Sequence, residues 1–522
     1  MEIFVDTIIT FHRQIFILFL SLFACLFIIP NATPHPLLSL STLAGKGPSS
    51  FSFYVGFNTN VDVIVQGIDV MKALSVSKPL PKEGDVSIQE LVHLETIEQV
   101  AEMFTWSLST SRAAERHVSS KEVFMKLITA AKNTNPIANV GGNAALMANV
   151  LVDLGHEVSL FGPIGTQLTD LLPKEMILMA KKEEDVLEDE IHLILEYPTG
   201  AIYNDKVAER ANRFILTRDV QNGKLTGLEN VVAKINDVFE KEETLPHAII
   251  VSGFHLLAKE SRVERLAAAV DCFKNLPREI PIHLELASIS DLSYLKTLSN
   301  TIFPYVDSIG LNEQELGSLY SVLSNGTTNG LPADELMKTV PSVTAVATAL
   351  ELVLATFSPQ SERIAAVEEA RGVSRIHFHS LSYHMIAKVP RVPVLVQEKS
   401  RKPYFKIVTS RWTNSEAAVA RGSVMATLTA CSTTVDAMVP EDGEVLAPTY
   451  LTVQATSGSY AITVDDVNPV GKWQKIVSNK LTVRYFYAPV VVCKAPLKTV
   501  GLGDAISASA LAHSLMEATE TW

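Results

Sequence analysis

The residues best suited to chemistry lie in a glycine turn near the C-terminus. The sequence Gly-Leu-Gly-Asp at residues 501–504 follows an apolar run, 488–493, and precedes a small, apolar stretch typical of a helix, 505–512. In the order strand, glycine turn, helix, the first N–H groups of the helix point at a bound anion, best a phosphoryl group. A carboxylate there, Asp504, repels phosphate unless it acts as a base for a hydroxyl or helps to hold a metal. The turn predicts phosphoryl transfer to an alcohol, with a simple capped turn as the alternative.

Two polar residues follow the first buried strand, residues 53–57. Asn60 and Asp62 are two positions apart, so they point the same way in an extended chain and offer a donor and an acceptor to a polyol. Ligands of open α/β sheets bind at the carboxyl ends of strands, where these residues lie. A turn held by Asx hydrogen bonds explains them equally well.

A second paired-glycine turn lies at residues 139–147. Its glycines bring backbone N–H groups close to a ligand, and Gly142 is followed by Asn143, which caps the next helix or contacts the ligand. This turn repeats the chemistry of the C-terminal one, because both place glycine before a helix.

Residues 191–197 alternate as a strand, and residues 211–216 pair with it as a second. Arg213 is a candidate phosphate clamp, because a planar guanidinium holds two oxygens at once. His192 fits a satisfied core histidine equally well. Residues 79–120 read mostly as amphipathic helix, and the charged residues around Glu115 at its end are ordinarily a solvated face.

A strand–helix rhythm from residue 248 onward predicts a parallel sheet. Glu285 ends one strand and Glu315 follows the next, so both face the rim that holds the glycine turn. Paired carboxylates at a rim suit Mg²⁺, which keeps several waters. A helix N-cap at Asn312 with acidic first-turn residues explains the second carboxylate without a metal. His377 and His379 share a strand face, but no third metal ligand has suitable spacing.

Composition excludes some classes of function. The chain has 522 residues, 47% hydrophobic and 19% charged, which is enough for a large α/β core. Its formal charge of −13, from 44 Lys and Arg against 57 Asp and Glu, argues against a nucleic-acid partner. Its four cysteines form no CxxC pair and give no support for a zinc or iron–sulfur site.

The N-terminus is different in kind. Residues 15–29 are an almost unbroken apolar run stopped by Pro30, which predicts a retained anchor or a cleaved signal, with the anchor slightly favoured. Residues 1–50 then form a targeting segment and linker. The body is expected in the lumen of the secretory route, such as the endoplasmic reticulum, where Asn31 and Asn325 begin candidate glycosylation sequons.

Taken together, these segments resemble the ADP-dependent glucokinases of the ribokinase-like superfamily, in particular the eukaryotic branch. The likeness spans residues 54–511, and its short motifs occur in the order and spacing of the family. The motifs are residues 56–62, 113–116, 141–145, 192–197, 211–214, 283–285, 312–315, 375–379 and 499–504.

The resemblance implies that Asp504 is the base that deprotonates the sugar 6-hydroxyl, with ADP as donor, D-glucose as acceptor and AMP as product. It implies that Glu285 and Glu315, with Asp504, position Mg²⁺ through water. The residues implied at the phosphates and nucleotide are Arg213, Asn312, Lys498, Thr499, Gly501, Leu502 and Gly503. The residues implied at the sugar are Asn60, Asp62, Glu115, Gly142, Asn143 and His192.

The architecture implied is an αβα sandwich with a mostly parallel central sheet, spanning residues 51–522, and a small β-rich lid. The lid is expected mainly from residues 69–119 and 189–217. The protein is expected to be a monomer, with membrane attachment if the N-terminal segment is retained. Eukaryotic relatives also carry cysteines at the positions of Cys431 and Cys493, which a luminal location would allow to pair.

Three other functions stay open. They are an ADP-dependent phosphofructokinase, an ATP-dependent sugar kinase on the same fold, and a luminal sugar- or nucleotide-binding protein that has lost turnover. Within the family a glutamate at position 115 goes with glucose, which disfavours the first. The intact Asp504, Glu285 and Glu315 disfavour the last.

Overall fold

A large sheet and a smaller sheet organise the chain in a computed structural model. The structure describes residues 50–76, 93–112, 114–179, 188–241, 244–324, 331–338, 340–390, 392–396, 404–408, 411–431, 443–465, 467–493 and 501–516. The N-terminal apolar run, both sequons, Lys498 and Thr499 lie outside these residues.

The strands of the described residues alternate with helices in the first two thirds of the chain and cluster in its last third. They are β1 (Ser52–Gly56), β2 (Asn60–Gln66), β3 (His93–Leu94), β4 (Ala114–Val118), β5 (Ile137–Gly141), β6 (Glu157–Phe161), β7 (Ile177–Leu178), β8 (Ile191–Tyr197), β9 (Ile202–Tyr203), β10 (Lys206–Val207), β11 (Asn212–Thr217), β12 (Ala248–Val251), β13 (Ile282–Glu285), β14 (Ser308–Leu311), β15 (Arg375–His379), β16 (Tyr383–Lys388), β17 (Val392–Val396), β18 (Tyr404–Val408), β19 (Gly443–Val445), β20 (Tyr450–Ala455), β21 (Gly458–Thr463), β22 (Gly471–Ser478), β23 (Leu481–Pro489) and β24 (Val491–Cys493).

The helices of the described residues are mostly three turns long. They are α1 (Gly67–Ala73), α2 (Ile97–Thr110), α3 (Lys121–Lys132), α4 (Asn143–Asp153), α5 (Thr166–Leu171), α6 (Leu228–Glu240), α7 (Arg262–Asn275), α8 (Leu292–Ile302), α9 (Glu313–Leu323), α10 (Ala333–Leu336), α11 (Val343–Phe357), α12 (Glu362–Ala365), α13 (Ser415–Ala430) and α14 (Leu502–Ser514). The stretch Val343–Ala365 is apolar enough to cross a membrane, but 61% of its most apolar window is buried, as in a core helix.

The body of the molecule is built on a ten-stranded sheet with the order β22-β23-β16-β15-β14-β13-β12-β1-β6-β7. From β7 to β15 all neighbours are parallel, and β16, β23 and β22 continue it antiparallel. Every residue of β12, β13 and β14 is buried, because helices cover both faces of a parallel sheet. The predicted αβα sandwich with a mostly parallel sheet is confirmed.

The smaller sheet has six strands in the order β3-β4-β11-β8-β2-β5. Along β2, Val61, Val63 and Val65 are buried in an apolar cluster that also contains residues of α2, so helices cover one face of this sheet. The other face is left for Asp62 and its neighbours, since side chains alternate along a strand. We call this sheet with α1, α2 and α3 the lid. It includes β2 and β5 in addition to the segments expected from the sequence.

Two local predictions differ from the structure. Residues 114–118 form strand β4 rather than the end of a helix, because they pair in parallel with β11 across the lid. Tertiary pairing here overrides the local helical pattern. The apolar run 488–493 is divided between β23 and β24, which pair with different strands. Pro489, which has no N–H to donate, ends the first of them.

The lid core is held by aromatic packing around Phe104 of α2. Its side chain is fully buried and meets the rings of Tyr197 and Tyr203 edge-on, with centroids 5.9 and 5.5 Å away. A Cβ on Gly67 would lie 2.5 Å from the Phe104 ring, so α1 packs directly on it.

Replacing Phe104 with Ala is expected to lower the free energy of unfolding by about 3–5 kcal/mol, because the cavity removes these contacts. Urea unfolding followed by fluorescence measures the change. Phe104→Leu, which keeps most of the apolar volume, should lose less than half as much. Equal stability of Phe104→Ala and the unsubstituted protein would show that α2 is not packed on the lid sheet as described.

Candidate active site

Asp504 lies in the first turn of α14, which begins directly after the glycine turn. Gly501 is the N-cap with φ of 75°, a conformation that glycine adopts at little cost. A glycine N-cap has no side chain to satisfy the first N–H groups of the helix, so these remain available to an anion. The predicted order of strand, glycine turn and helix therefore puts a carboxylate beside an anion site.

Among the described residues, one side chain bonds the Asp504 carboxylate. Nδ2 of Asn143, the first residue of α4, donates to Oδ1 of Asp504 at 2.9 Å. Oδ1 of Asn143 in turn accepts from Nδ2 of Asn58 at 3.2 Å. Burial first, and then the nearby Glu285 carboxylate, raise the pKa of Asp504 to about 7. Such a carboxyl can accept a proton near neutral pH.

Glu285 ends β13, and three side chains bond its carboxylate. Its oxygens accept from His379 Nε2 at 2.8 Å, His283 Nε2 at 3.0 Å and Ser507 Oγ at 2.6 Å. Burial alone would raise the pKa of this carboxyl, but His379 and the other donors hold it well below its usual range. Glu285 therefore stays ionised although its side chain is buried. A Cβ on Gly310 would lie 2.1 Å from Oε2, so the neighbouring strand must carry glycine there.

A buried line of polar groups supports Glu285 from behind. Arg375 Nη1 donates to Ser308 Oγ at 2.9 Å, and Ser308 Oγ lies 2.9 Å from His283 Nδ1. Burial lowers the pKa of His283, so it is neutral and carries its proton on Nε2, toward Glu285. Sequence reasoning missed this line. The sequence signal was the alternation of polar residues along β13 and β15, two strands that the sheet order makes near neighbours.

Glu315 and Asn312 form a capping box at the start of α9. Asn312 N and Nδ2 donate to the Glu315 carboxylate at 2.8 Å each, and Oδ1 of Asn312 accepts from the N–H of Glu315 at 3.0 Å. The helix-capping alternative is thus present in the structure, beside Glu285. Burial first, and then the Glu285 and Glu313 carboxylates, raise the pKa of Glu315 to about 8, against the opposing backbone bond and His379.

These carboxylates fit a magnesium ion held through water. No group of three or more His, Cys, Asp or Glu is placed to bind a metal directly in the described part of the chain. Both oxygens of Glu285 and both of Glu315 already accept hydrogen bonds. Mg²⁺ keeps several of its waters, so hard oxygen groups around a hydrated ion suit it. The pKa values of Asp504 and Glu315, raised by burial, mark carboxyls that a nearby cation would help to ionise.

The polar residues at the start of β2 face the second glycine turn. Nδ2 of Asn60 donates to Oδ1 of Asp62 at 2.7 Å, which fixes both side chains. A Cβ on Gly141 would lie 2.1 Å from Asp62 Oδ1, and one on Gly142 would lie 2.5 Å from the backbone oxygen of Asn58. The turn therefore brings Asn60 and Asp62 next to Asn143 and, through it, to Asp504.

His192 and Glu115 lie on the same face of the lid sheet as Asp62. His192 Nε2 donates to Asp219, at 3.0 Å from Oδ1 and 3.1 Å from Oδ2. Burial alone would lower the pKa of His192, but Asp219 first and then Glu115 and Asp62 raise it to about 10. The pKa of Glu115 is raised, chiefly because the surrounding protein displaces water that would hydrate the carboxylate. Asp219 and Asp62 also raise this pKa, and His192 opposes them. The satisfied-histidine alternative is thus partly correct, because one ring nitrogen is bonded.

Arg213 lies on β11 opposite Glu196 of β8, and it contributes to the electrostatic surroundings of Glu115. The structure therefore places Arg213 on the lid sheet near Glu115, and its predicted contact with the phosphates stays a prediction. Leu502 and Gly503 are in the first turn of α14, and a Cβ on Gly503 would lie 3.2 Å from the His379 ring.

The described cysteines include one in a disulfide and one free thiol. Cys431 is disulfide-bonded, and its predicted partner Cys493 has its side chain outside the described part of the structure. Cys272 is a free, buried thiol whose pKa burial raises to about 12, so it is unreactive near neutral pH.

The sheet, the lid and the carboxylate at a glycine turn define the class: an α/β kinase that transfers a phosphoryl group to a small molecule. The conserved region of ADP-specific phosphofructokinases and glucokinases matches residues 52–513, and the chain belongs to this family.

Two relatives are similar along most of their length. An ADP-dependent glucokinase from Bos taurus is 33% identical over 468 residues, covering 88% of this chain and 84% of the relative. A probable ADP-dependent glucokinase from Caenorhabditis elegans is 31% identical over 467 residues, with the same coverage. Among solved structures, an ADP-dependent kinase in complex with fructose-6-phosphate and ADPβS has a TM-score of 0.62 at 16% identity, covering 91% of this chain and 96% of that one. The last likeness concerns the fold.

Magnesium is expected to stabilise the protein more at alkaline than at acidic pH. The folded pKa values of Asp504, about 7, and Glu315, about 8, lie above the ordinary 3.8 and 4.5. The stability these carboxyls contribute is therefore fully present below about pH 4 and is lost as pH rises through 7 to 8. A cation offsets that loss only where the groups are ionised.

Thermal unfolding with and without Mg²⁺ measures the effect. The Tm should rise with Mg²⁺ at about pH 8.5 and change little at about pH 5. Glu315→Gln should reduce the increase at the higher pH. The same increase at both pH values, or an undiminished one in the variant, would argue against a site at these carboxylates.

Proposed function

We propose that the chain is an ADP-dependent glucokinase that transfers the β-phosphoryl group of ADP to the 6-hydroxyl of D-glucose, giving glucose 6-phosphate and AMP. Membership of the family and the similar relatives named as ADP-dependent glucokinases support this activity. The observation that carries the proposal is the place of Asp504. Its carboxylate lies at a helix N-terminus and is bonded by Asn143, between the polar sugar-side residues and Glu285.

Asp504 is the general base in this proposal. Its carboxylate oxygen accepts the proton of the glucose 6-hydroxyl while the glucose 6-oxygen attacks the β-phosphorus of ADP. The bond between that phosphorus and the AMP oxygen then breaks. The pKa of about 7, raised chiefly by burial, suits a base that works near neutral pH. Asn143 keeps the carboxylate aimed, and the N–H groups that follow Gly501 neutralise the charge on the phosphoryl oxygens.

The sugar lies against the free face of the lid sheet. Asp62 and Asn60 offer an acceptor and an amide beside the glycine turn, while Glu115 and His192 line the same face from β4 and β8. A glutamate at position 115 favours glucose over fructose 6-phosphate, because a carboxylate there repels the sugar phosphate that the second substrate carries.

The nucleotide phosphates lie between the glycine turn and the lid. Arg213 approaches them from β11, and closure of the lid brings its guanidinium onto the diphosphate and excludes water from the transfer. Exclusion of water protects ADP from hydrolysis before the sugar is in place.

Magnesium is the proposed cofactor. Glu285, Glu315 and Asp504 would hold it through water, and it would supply positive charge to the phosphoryl oxygens. Glu285 stays ionised in its pair with His379, so the additional negative charge for the ion would come from Asp504 and Glu315.

The N-terminal apolar run supports a luminal location, such as the endoplasmic reticulum, with a retained anchor or a cleaved signal. In that compartment Asn325 is a glycan acceptor. The full-length chain from a secretory host should lose mass on glycosidase treatment, measured by intact mass, and Asn325→Gln should lose less. No change of mass in the unsubstituted chain would contradict a luminal location.

The activity is tested with the full-length chain, Mg²⁺, and each combination of glucose or fructose 6-phosphate with ADP or ATP. AMP and the sugar phosphate are both measured. AMP and glucose 6-phosphate in equal amounts, from glucose and ADP, are expected. A product from ATP or from fructose 6-phosphate at a comparable rate would assign one of the other kinase activities.

Replacing Asp504 with Ala is expected to lower kcat by about 10²–10⁴-fold, the usual contribution of a general base, with the Kd for ADP little changed. Initial rates and calorimetry measure the two quantities. Glu313→Gln is the matched control, because Glu313 is a neighbouring acidic residue outside the proposed chemistry. Retained turnover in Asp504→Ala would remove Asp504 from its role.

A further inference from the structure

A carboxylate that no motif pointed to lies directly behind His192. Asp219 follows β11, where the chain leaves the lid, and its side chain is only 4% exposed. Both of its oxygens lie within hydrogen-bond distance of His192 Nε2, at 3.0 and 3.1 Å. A buried carboxylate with this geometry fixes both the position and the proton of the imidazole.

Asn222 anchors Asp219 to the turn that joins β1 and β2. Its Nδ2 group donates to Asp219 Oδ1 at 2.9 Å and to the backbone oxygen of Thr59 at 3.1 Å. Its Oδ1 accepts from the backbone N–H of Thr59 at 3.2 Å. Thr59 is itself tied to the body, since its Oγ1 donates to the Pro163 oxygen at 2.7 Å. The carboxylate behind His192 is thus held by the connection between lid and body.

The bond to Asp219 leaves the other ring nitrogen of His192 for a ligand. Because Nε2 donates to the carboxylate, an imidazolium keeps a second N–H at Nδ1. Within the described residues Nδ1 forms no hydrogen bond, and the His192 side chain is 12% exposed, on the face of the lid that also carries Asp62. A charged N–H donor is therefore presented to the sugar side of the cleft.

The acidic groups around His192 all raise its pKa. Asp219, Glu115 and Asp62 all favour its protonated form, while burial opposes it, and together they raise its pKa to about 10. His255, in the short 3₁₀ helix Phe254–Leu256, is neutral because burial lowers its pKa to about 4. Asp219 exerts the largest favourable influence on the pKa of His192, because among the described residues it is the one that bonds the ring.

We propose that Asp219 is a positioning residue for the sugar: it holds His192 Nε2–H so that Nδ1–H is a fixed, charged donor to a sugar oxygen. The inference rests on the proposed function, since it assigns how the same cleft selects its acceptor. It adds that Asn222 ties this donor to the turn between β1 and β2.

Asp219→Asn tests the proposal, because the amide keeps the size and removes the charge. The pKa of His192 then falls into the assay range, since burial is no longer offset by the adjoining carboxylate. Because Asp504 also titrates in this range, the glucose KM of each variant is expressed as a ratio to that of the unsubstituted chain at the same pH. In Asp219→Asn this ratio should rise about tenfold or more from pH 6 to 9, because a charge-assisted bond is lost. The KM for ADP in this variant should equal that of the unsubstituted chain at each pH, because Asp219 lies on the sugar side.

Two further variants separate positioning from simple loss of structure. Asp219→Glu keeps the charge and should restore a flat pH profile for the glucose KM ratio. Glu190→Gln is the control for a neighbouring carboxyl that titrates in the same range. Burial and Asp219 raise the pKa of Glu190 to about 7, and it bonds backbone N–H groups of residues 220–222 instead of His192. Glu190→Gln should leave the profile flat. A flat profile in Asp219→Asn, or an equal rise in the ADP and glucose KM, would overturn the proposal.

The unsubstituted chain supplies a test that needs no folded Asp219 variant. His192 should stay protonated between pH 6 and 8, so any inflection of the glucose KM in this range should persist in His192→Gln. An inflection that disappears in His192→Gln would overturn the proposal. Failure of the proposed function is distinguished by the same assays, because a chain that makes no glucose 6-phosphate from ADP at any pH refutes the activity itself.

Discussion

The hydrogen bond between Asn143 and Asp504 is the interaction on which the rest of the site depends. It joins the first turn of α4, which follows lid strand β5, to the first turn of α14 in the body. Each of these helices begins after a glycine with positive φ, Gly142 at 82° and Gly501 at 75°. Two helix N-termini therefore meet at one carboxylate, and their partial positive charges favour an anion between them.

That meeting point would be unfavourable without the arrangement around it. Three carboxylates, Glu285, Glu315 and Asp504, lie close enough to influence one another, and burial adds to the cost of ionising them. The three carboxyl groups differ in their pKa values. Glu285 is paired with His379 and kept ionised, whereas the other two have raised pKa values chiefly because they are buried. The site thus combines one ionised carboxylate with two carboxyls that change protonation near neutral pH.

The sequence predicts the parts of this site that depend on local rules. Glycines before helices mark Gly142 and Gly501, and the alternation of strands and helices predicts the parallel sheet that brings Glu285 and Glu315 to one rim. The family resemblance adds the lid and the sugar-side residues. In each case the signal lies within a few residues or in a motif order, so a single sequence carries it.

The parts that the sequence did not predict depend on contacts between distant segments. The sequence of residues 114–118 is typical of a helix, but these residues form a strand because they pair with β11. Strands β2 and β5 belong to the lid because they pair with each other at its edge. Asp219 has no local pattern. The polar alternation along β13 and β15 does not by itself reveal the Arg375–Ser308–His283 line, because the bonded partners lie on different strands. Such groups become recognisable only when the sheet order is known.

The path of the chain through the lid has a consequence for how such enzymes diversify. The chain leaves the body after β1, returns after β5, leaves again after β7 and returns after β11, so the lid consists of two separate insertions whose strands interleave in one sheet. No single proteolytic cut releases it, and no single crossover in recombination exchanges it. Exchange of the lid therefore requires both insertions to be replaced together, whereas a point substitution on the lid sheet changes the acceptor site without disturbing the strand pairing.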